Sequence, residues 1–391
     1  MRFLSLLLIL SFVTLARGQS LDRLAEIPQR MTEFVASNDL AGAVTLVGTR
    51  DSVLQTTAVG KADLASGRAM TTDTLFRIAS MTKPITSTAI MILQDEGRLK
   101  VDDPVEKHLP EFKGQFMVSK KEGDTMTLKK PARPITLRDL LTHTSGLPNY
   151  SPGIADVYQK RNRTLSETTI AVSQQPLMFE PGTRWSYCNS GIDTLGRIIE
   201  VKSGMSYEKF LQARIFDRLG MTETTFYPTP KQLDRLATTY QKKDGKLEPS
   251  GNLIVDITKD ARHPVPAGGL FSTAGDLARF YQSMLSNGIG NGQRIVSEQA
   301  IQQMTRTQTG EIKTGFTDGM SFGFGWAVVK EPKGITEKLS IGTYGHGGAF
   351  GTQGWIDPVK NRFYILMIQR TGLTNGDASP MRKALQDLAA P

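Results

Sequence analysis

A serine and a lysine three residues apart are the first candidates for chemistry in this chain. They belong to Ser80-Met81-Thr82-Lys83, an S-x-x-K sequence at the beginning of a strongly apolar segment. Residues three apart on a helix share a face, so the Lys83 amine can lie beside the Ser80 hydroxyl. A lysine held away from water has a lowered pKa, and its neutral amine can accept the serine proton. The pair therefore suits nucleophilic catalysis by serine.

The surroundings of this motif matter, because the chain contains a second S-x-x-K at Ser206 to Lys209. We interpret Ser206 as the N-cap of an amphipathic surface helix. At the first copy, apolar and small residues go most of the way round the predicted helix over residues 80–96, and Gly97 is well placed to end it. Such a helix is typical of the centre of a core, which predicts a desolvated Lys83.

Two further motifs follow along the chain. Tyr187-Cys188-Asn189 is its sole Y-x-N sequence and precedes a predicted helix over residues 191–203. His346-Gly347-Gly348 follows a predicted strand over residues 339–344. Each has an ordinary structural interpretation: a buried tyrosine beside an asparagine helix cap, and a glycine bend or bulge in a strand. We interpret Cys188 as a packing residue rather than a redox group.

In this order the three motifs resemble those of the serine β-lactamase and penicillin-binding protein superfamily. The similarity is greatest to the class C β-lactamase branch, with its esterases and D-amino-acid peptidases. Tyr187 lies 107 residues after Ser80, and His346 lies another 159 residues further on. The resemblance runs from about Leu21 to Gln369. Its other segments are residues 76–83, 140–147, 179–182, 267–274 and 322–326.

The resemblance implies a role for each motif residue. Ser80 would be the nucleophile that forms an acyl-enzyme, and Lys83 with Tyr187 would remove its proton and pass it to the leaving group. Tyr187 would then help to activate water for deacylation, while Asn189 would hold the acyl side of the substrate and steady Lys83. The oxyanion hole would be the main-chain N–H groups of Ser80 and Ala349, the latter on a strand. No metal and no organic cofactor is implied.

The chain departs from the β-lactamases at the third motif. In that family the motif is usually Lys-Thr-Gly, whose cation and hydroxyl grip the substrate carboxylate. Here the implied substrate-binding residues are His346, Gly347 and Gly348, and a neutral imidazole beside glycine offers neither group. Protonation of His346 at acidic pH, or a loop arginine such as Arg184, would be needed for carboxylate recognition. The departure weakens the case for an antibiotic-hydrolysing enzyme.

We therefore expect an exported serine hydrolase that acts on small esters or amides, either esterase-like or D-aminopeptidase-like. Two alternatives stay open. One is a β-lactamase or D-Ala-D-Ala carboxypeptidase acting on β-lactams or cell-wall peptides. The other is a non-catalytic binding or sensor module of the same fold, which would have no use for the general-base pair of Lys83 and Tyr187.

The elements that must position these residues follow from the hydrophobic pattern. Helical patterns dominate from Leu137 to about Leu236, and a closing helix is predicted over residues 380–388. Strand patterns lie near both ends of the chain, at residues 42–48, 53–59, 324–330, 339–344, 352–356 and 363–369. This predicts an α+β fold of the β-lactamase/transpeptidase-like kind. One antiparallel sheet, built from both ends of the chain and flanked by helices, would carry an inserted, mostly helical lobe.

The predicted organisation is a signal peptide over residues 1–18 and one catalytic unit over residues 19–391. Its sheet lobe would comprise residues 19–100 and 265–391, and its helical lobe residues 101–264, with an exposed insertion near 111–134. Residues 3–15 form an apolar run that is shorter than the ~20 residues needed to span a bilayer. Ala16-Arg17-Gly18 suits signal peptidase. We expect a periplasmic or secreted protein without a stable membrane anchor.

Composition narrows the remaining classes. A chain of 391 residues that is 39% hydrophobic and 22% charged is typical of a folded protein rather than a disordered one. A single cysteine excludes internal disulfides, and the four scattered histidines give a metal cluster little to build on. We expect His108, His143 and His263 to be ordinary packing or surface residues. The net charge of +9 comes from dispersed basic residues without interleaved aromatics, so we expect no nucleic-acid partner.

Overall fold

A seven-stranded antiparallel sheet forms the centre of the fold and takes its strands from both ends of the chain. The computed structural model describes residues 23–149, 160–251 and 261–390, so the predicted signal peptide lies outside the described residues. The predicted α+β architecture is confirmed. Across the sheet the strands are Met320–Phe322, Ala327–Val329, Tyr344–Gly347, Gln353–Asp357, Arg362–Met367, Gly42–Gly48 and Val53–Gly60.

Helices cover both faces of this sheet. Strand Gly42–Gly48 is buried at every position, because alternate side chains enter two different cores. Ala43 and Val47 pack toward the two terminal helices, Ile27–Ala36 and Pro380–Ala389. Val44 and Leu46 belong to the larger core on the other face. That core also contains the helices Ala274–Leu285 and Thr82–Asp95.

The helix Thr82–Asp95, which we name the central helix, is the most buried helix of the site. Every residue from Thr82 to Leu93 is buried, as the nearly all-apolar pattern predicts. A short 3-10 turn, Ala79–Met81, leads into it. The central helix therefore carries Lys83 into the core close to its first residue.

The inserted lobe is mostly helical. Helix Asn189–Ser203 is the long element of this lobe that packs on the central helix, and it ends where Gly204 adopts a left-handed conformation with φ 74°. The other helical segments described there are the 3-10 turns Val105–Lys107 and Pro110–Phe112, then Leu137–Leu141, Leu165–Ser173, Tyr207–Leu211, the π-helical Gln212–Phe216, Asp217–Leu219 and Pro230–Leu233. Glu298–Thr305 follows later in the chain. Within the described ranges, no helix is both long and apolar enough to cross a lipid bilayer.

Small strand pairs complete the described structure. The insertion near residues 111–134 contains an exposed hairpin, Met117–Glu122 with Thr125–Lys129, that the sequence pattern did not predict. The remaining short strands are Phe76–Arg77, Tyr240–Lys243, Lys246–Pro249, Phe271–Ser272, Ile289–Gly290, Gln293–Arg294 and Arg370–Thr371.

Two predicted strands are wrong in position. The strand expected over residues 339–344 begins instead at Tyr344 and ends at Gly347, because the preceding segment is a turn whose Ser340 N–H donates to Asp357 Oδ2 at 3.0 Å. Ala349 therefore lies in a turn and not on a strand. Of the run expected over residues 324–330, Ala327–Val329 is a strand, and a bend with Gly325 at φ 72° separates it from the preceding strand Met320–Phe322.

Candidate active site

The backbone around Ser80 is held in a strained turn. Ala79, the residue before it, has φ 45°, a left-handed conformation that costs an alanine about 1–2 kcal/mol. Hydrogen bonds on either side hold the turn, since Ile78 N–H donates to Leu270 O at 3.0 Å and Met81 N–H donates to Ile78 O at 3.1 Å. Strain that the surroundings enforce in this way is concentrated at functional sites. The strained turn places the half-buried Ser80 side chain at the N-terminus of the central helix.

The amine of Lys83 is surrounded by three oxygen atoms. Its Nζ lies 3.0 Å from Ser80 Oγ, 2.7 Å from Asn189 Oδ1 and 2.7 Å from Ala267 O. The oxygens of Asn189 and Ala267 can only accept hydrogen bonds, so both N–H groups of a neutral amine donate to them. The remaining lone pair of Lys83 then faces the Ser80 hydroxyl, which is the geometry that a general base requires.

Burial and one carboxylate determine the charge of this amine. Desolvation lowers the pKa of Lys83 to about 7, while the charge of Asp193 acts in the opposite direction. Asp193 is itself fully buried, one turn after Asn189 on the same helix, and burial raises its pKa to about 7. Its Oδ1 accepts a hydrogen bond from Ala267 N–H at 2.8 Å. Ala267 thus contacts Asp193 through its N–H and Lys83 through its C=O.

Tyr187 completes the group around the serine. Its hydroxyl forms a hydrogen bond with Ser80, and Lys83 Nζ lies 4.6 Å from the centre of its ring. Desolvation raises the pKa of Tyr187 far above its ordinary value of about 10, so the side chain is a neutral phenol at physiological pH. A neutral phenol between Lys83 and the cleft can pass a proton on by donating one and accepting another.

His143 fixes the backbone around Tyr187, a positioning role that the sequence pattern did not predict. Its carbonyl accepts a hydrogen bond from Ser186 N–H at 2.9 Å, and its Nδ1 accepts one from Cys188 N–H at 3.2 Å. The two bonds fix the backbone on both sides of Tyr187, and the ring centroids of His143 and Tyr187 lie 4.5 Å apart. Burial lowers the pKa of His143 well below its ordinary value, so it is neutral. The available signal was its place in the segment 140–147 that carries the family resemblance.

The strand Tyr344–Gly347 forms the opposite wall of the site, and glycine allows its close approach. A Cβ atom on Gly348 would lie 2.5 Å from Ile78 O and 2.1 Å from Thr352 Oγ1. Only glycine lets this chain segment come so near the backbone just before Ser80. As a result Ser80 and Ala349 line the same cleft, which has a volume of about 310 Å³.

His346 on this wall is neutral and has a defined tautomer. Its Nδ1 lies 2.6 Å from Gly347 O, a carbonyl that can only accept, so Nδ1 carries the hydrogen. Burial, together with the charge of Lys83, lowers the pKa of His346 to about 4. Its Nε2 is therefore an acceptor at neutral pH, and it has no partner among the described residues. Protonation of His346 as a source of carboxylate affinity would require a pH near 4.

The predicted site residues come together at this one cleft. Tyr187, His346, Gly347 and Gly348 line it with Ser80 and Ala349, while Lys83 and Asn189 lie directly behind. Arg184, considered as a source of positive charge, is exposed and is not among the described lining residues.

The other residues singled out in the sequence lie in ordinary surroundings. Cys188 is buried with its Sγ 3.1 Å from Ser190 Oγ, in agreement with a packing role. His108 is buried and hydrogen-bonded to Asp103 at 3.0 Å, and His263 is buried as well.

Comparison with known proteins identifies the family. The family model described as Beta-lactamase matches residues 27–388. The chain belongs to the beta-lactamase family. This confirms the resemblance that the motifs indicated, and it makes the chain a member of a family of serine hydrolases.

Relatives within the beta-lactamase family have several activities in their names. The chain is 28% identical to esterase EstB of Burkholderia gladioli over 377 residues, which cover 89% of this chain and 90% of EstB. It is 30% identical to the D-alanyl-D-alanine-carboxypeptidase/endopeptidase AmpH of Escherichia coli (strain K12), over 77% of this chain and 72% of AmpH. The structure of EstCE1, a hydrolase with promiscuous acyltransferase activity, matches with a TM-score of 0.76. That match has 23% identity and covers 96% of this chain and 100% of EstCE1, which bears on the fold alone.

Proposed function

We propose that this protein is an exported serine hydrolase that cleaves small esters or amides through an acyl-enzyme on Ser80. The observation that carries the proposal is the environment of Lys83. Its amine has a pKa of about 7, two of its N–H groups donate hydrogen bonds to Asn189 and Ala267, and its lone pair faces Ser80 Oγ at 3.0 Å. A surface lysine would be protonated at neutral pH and could not accept a proton from serine.

In the acylation step, the Ser80 hydroxyl gives its proton to Lys83 Nζ as Ser80 Oγ bonds to the substrate carbonyl carbon. The carbonyl oxygen becomes an oxyanion that accepts hydrogen bonds from the N–H groups of Ser80 and Ala349. Lys83 then protonates Tyr187 as Tyr187 gives its own hydroxyl proton to the leaving group. The bond between the carbonyl carbon and the leaving group breaks, and the acyl group stays on Ser80.

Deacylation repeats these transfers with water as the nucleophile. Water passes a proton through Tyr187 to the neutral Lys83 as its oxygen bonds to the acyl carbon. The second oxyanion uses the same two N–H donors. Lys83 returns the proton to Ser80 Oγ as the acyl–oxygen bond breaks, which releases the acid and restores the starting state.

The preference for esters or amides without a carboxylate rests on the strand wall. The motif that holds a cation and a hydroxyl in β-lactamases here holds a neutral His346 and two glycines. The esterase name of EstB supports this substrate class, whereas the name of AmpH supports the cell-wall peptide alternative. Export is supported by the predicted signal peptide over residues 1–18.

The test is hydrolysis of p-nitrophenyl butyrate and of the cephalosporin nitrocefin by the same preparation, with Ser80→Ala as the control. We expect clear turnover of the ester, negligible turnover of nitrocefin, and neither reaction in the variant. Strong nitrocefin turnover would overturn the substrate class. Ester turnover that persists in Ser80→Ala would overturn the mechanism.

A further inference from the structure

We propose that the cleft selects substrates whose leaving group carries a protonated amine, and that the carboxylate of Asp377 makes this selection. The inference rests on the proposed function, because it names the substrate class of the same site. It follows from the charge of the lining, the contact between Asp377 and Gly347, and an unpartnered acceptor beside them.

Asp377 supplies the charge of the cleft lining. Among the described residues that line the cleft, it is the one with a charged side chain, and no lysine or arginine is present. A carboxylate in a partly desolvated cleft attracts cations and repels anions more strongly than it would in bulk water.

The Asp377 carboxylate has no ion-pair partner among the described residues. Its Oδ1 accepts a hydrogen bond from Gln353 Nε2 at 3.0 Å, which fixes its position without neutralising it. The nearby guanidinium of Arg382 is fully buried and stacks 3.9 Å from the centre of the Trp355 ring. Its Nη1 donates to the main-chain carbonyl of Asp377 at 2.6 Å, and not to the carboxylate.

The altered third motif is what makes room for this carboxylate. A Cβ atom on Gly347 would lie 2.1 Å from Asp377 Oδ1. A threonine, which β-lactamases usually have at the middle position of the motif, would thus displace Asp377. The glycine and the aspartate together put an acidic group where β-lactamases usually have a hydroxyl beside a cation.

His346 adds a second acceptor to the same wall. Its Nε2 is buried, has no partner among the described residues and carries the lone pair of the neutral ring. An ammonium group in the cleft can donate to Asp377, whereas a carboxylate would meet only acceptors at Asp377 and His346. The charge of Asp377 acts on both His346 and Tyr187. Since Tyr187 protonates the leaving group in the proposed mechanism, the leaving group is the part of the substrate that faces Asp377.

The experiment uses three butyrate esters with matched phenol leaving groups. The phenols are 3-(dimethylaminomethyl)phenol, which is cationic at pH 7, the neutral 3-(methoxymethyl)phenol, and the anionic 3-hydroxyphenylacetate. We expect kcat/KM to be at least about tenfold higher for the cationic than for the anionic ester. Asp377→Asn should reduce that ratio about tenfold, equivalent to roughly 1.4 kcal/mol, and the ratio is normalised to the rate of the same variant on the neutral ester. Asp234→Asn, at an exposed carboxylate beside the helix Pro230–Leu233, should leave the ratio unchanged.

The outcomes separate this inference from the proposed function. Turnover of the neutral ester without any charge preference, or an unchanged ratio in Asp377→Asn, would overturn the inference alone. No turnover of any ester by the wild type would overturn the proposed function. Should Asp377→Asn fail to fold, product inhibition of the wild type decides: the cationic phenol must inhibit more strongly than the anionic one.

Discussion

The chain contains the S-x-x-K sequence twice, and the two copies lie in opposite environments. At the first copy Lys83 is fully buried and its Nζ lies 3.0 Å from Ser80 Oγ. At the second copy Lys209 is exposed, and Ser206 Oγ donates instead to Glu208 Oε1 at 2.6 Å. The same residue types at the same spacing thus give a pair in one place and two unrelated side chains in the other.

Backbone conformation and burial explain the difference. Ser80 lies in a 3-10 turn that continues into the central helix, so Ser80 and Lys83 are both in helical conformation. Ser206 has the extended conformation of an N-cap and lies outside the helix that contains Lys209. Only the first lysine is taken out of water, and desolvation is what gives its amine a pKa suited to accepting a proton. Spacing alone therefore does not create a general base.

The largest expected effect comes from removing the two serines separately. Ser80→Ala should abolish covalent labelling by a fluorophosphonate probe and lower kcat for ester hydrolysis by about 10⁴-fold or more, because no nucleophile remains. Ser206→Ala should be labelled to the same extent as the wild type and should have the same kcat. Mass spectrometry measures the labelling of each variant, and an ester-hydrolysis assay measures its kcat. A label that persists on Ser80→Ala would mean that the two copies do not differ in the way described here.

Removing the two lysines gives the next largest effect. Lys83→Ala should slow acylation by about 10²–10⁴-fold, the usual range for losing a general base, while Lys209→Ala should not slow it. The measurement is the single-turnover rate of fluorophosphonate labelling, with circular dichroism to verify that both variants are folded. Equal acylation rates in Lys83→Ala and the wild type would show that another group takes the serine proton.

Much of this contrast could be predicted from the sequence, and the reason is local. Ser80, Lys83 and the apolar pattern that buries them lie on one continuous helix, so periodicity was sufficient. Asp193 and His143 reach the site through tertiary packing, which spacing along the chain does not encode. The one signal for Asp193 was its place one helical turn after Asn189, which puts both side chains on the same face of the helix Asn189–Ser203.

The strand wall was predicted less accurately for a related physical reason. The apolar residues at 339–344 were assigned to a strand, yet the hydrogen-bonded strand is Tyr344–Gly347. Half of that strand is glycine, which has no side chain to give an alternating pattern. The close contact of Gly348 with Ile78 likewise depends on a neighbour 270 residues away in the chain, so no local pattern predicts it.

A smaller loss of activity should follow from adding a methyl group at Gly348, which lies against the backbone just before Ser80. In Gly348→Ala the new methyl group would collide with Ile78 O and displace Ala349, so one oxyanion donor is lost. We expect kcat to fall by about 10²–10³-fold. Gly275→Ala is the matched control, because a Cβ there has no neighbour closer than 3.9 Å. A Gly348→Ala variant as active as Gly275→Ala would exclude Ala349 from the oxyanion hole.

The smallest expected effect concerns how the charge of Lys83 is adjusted. In the wild type kcat/KM should rise with pH through about 7 and then level off, because only neutral Lys83 accepts the serine proton. The negative charge of Asp193 stabilises protonated Lys83, so its removal lowers the lysine pKa. Burial raises the pKa of Asp193 itself to about 7, so it is only partly ionised on this limb. Asp193→Asn should therefore move the limb to lower pH by no more than about one unit and raise the rate at pH 6 by no more than about fivefold relative to the plateau.

Asp193→Asn tests the charge at position 193, because asparagine has nearly the same shape as aspartate. An asparagine at 193 keeps an oxygen that can accept from Ala267 N–H, so Lys83 retains its position. The other titratable groups that act on or lie against Lys83 are neutral near pH 7: burial raises the pKa of Cys188 and of Tyr187 and lowers the pKa of the two histidines at the site. Asp276→Asn is the control, because it removes another buried carboxylate. It should lower the free energy of unfolding without moving the rising limb of the pH profile. If Asp193→Asn also leaves the limb in place, desolvation alone sets the basicity of Lys83, and burial is the whole difference between the two lysines.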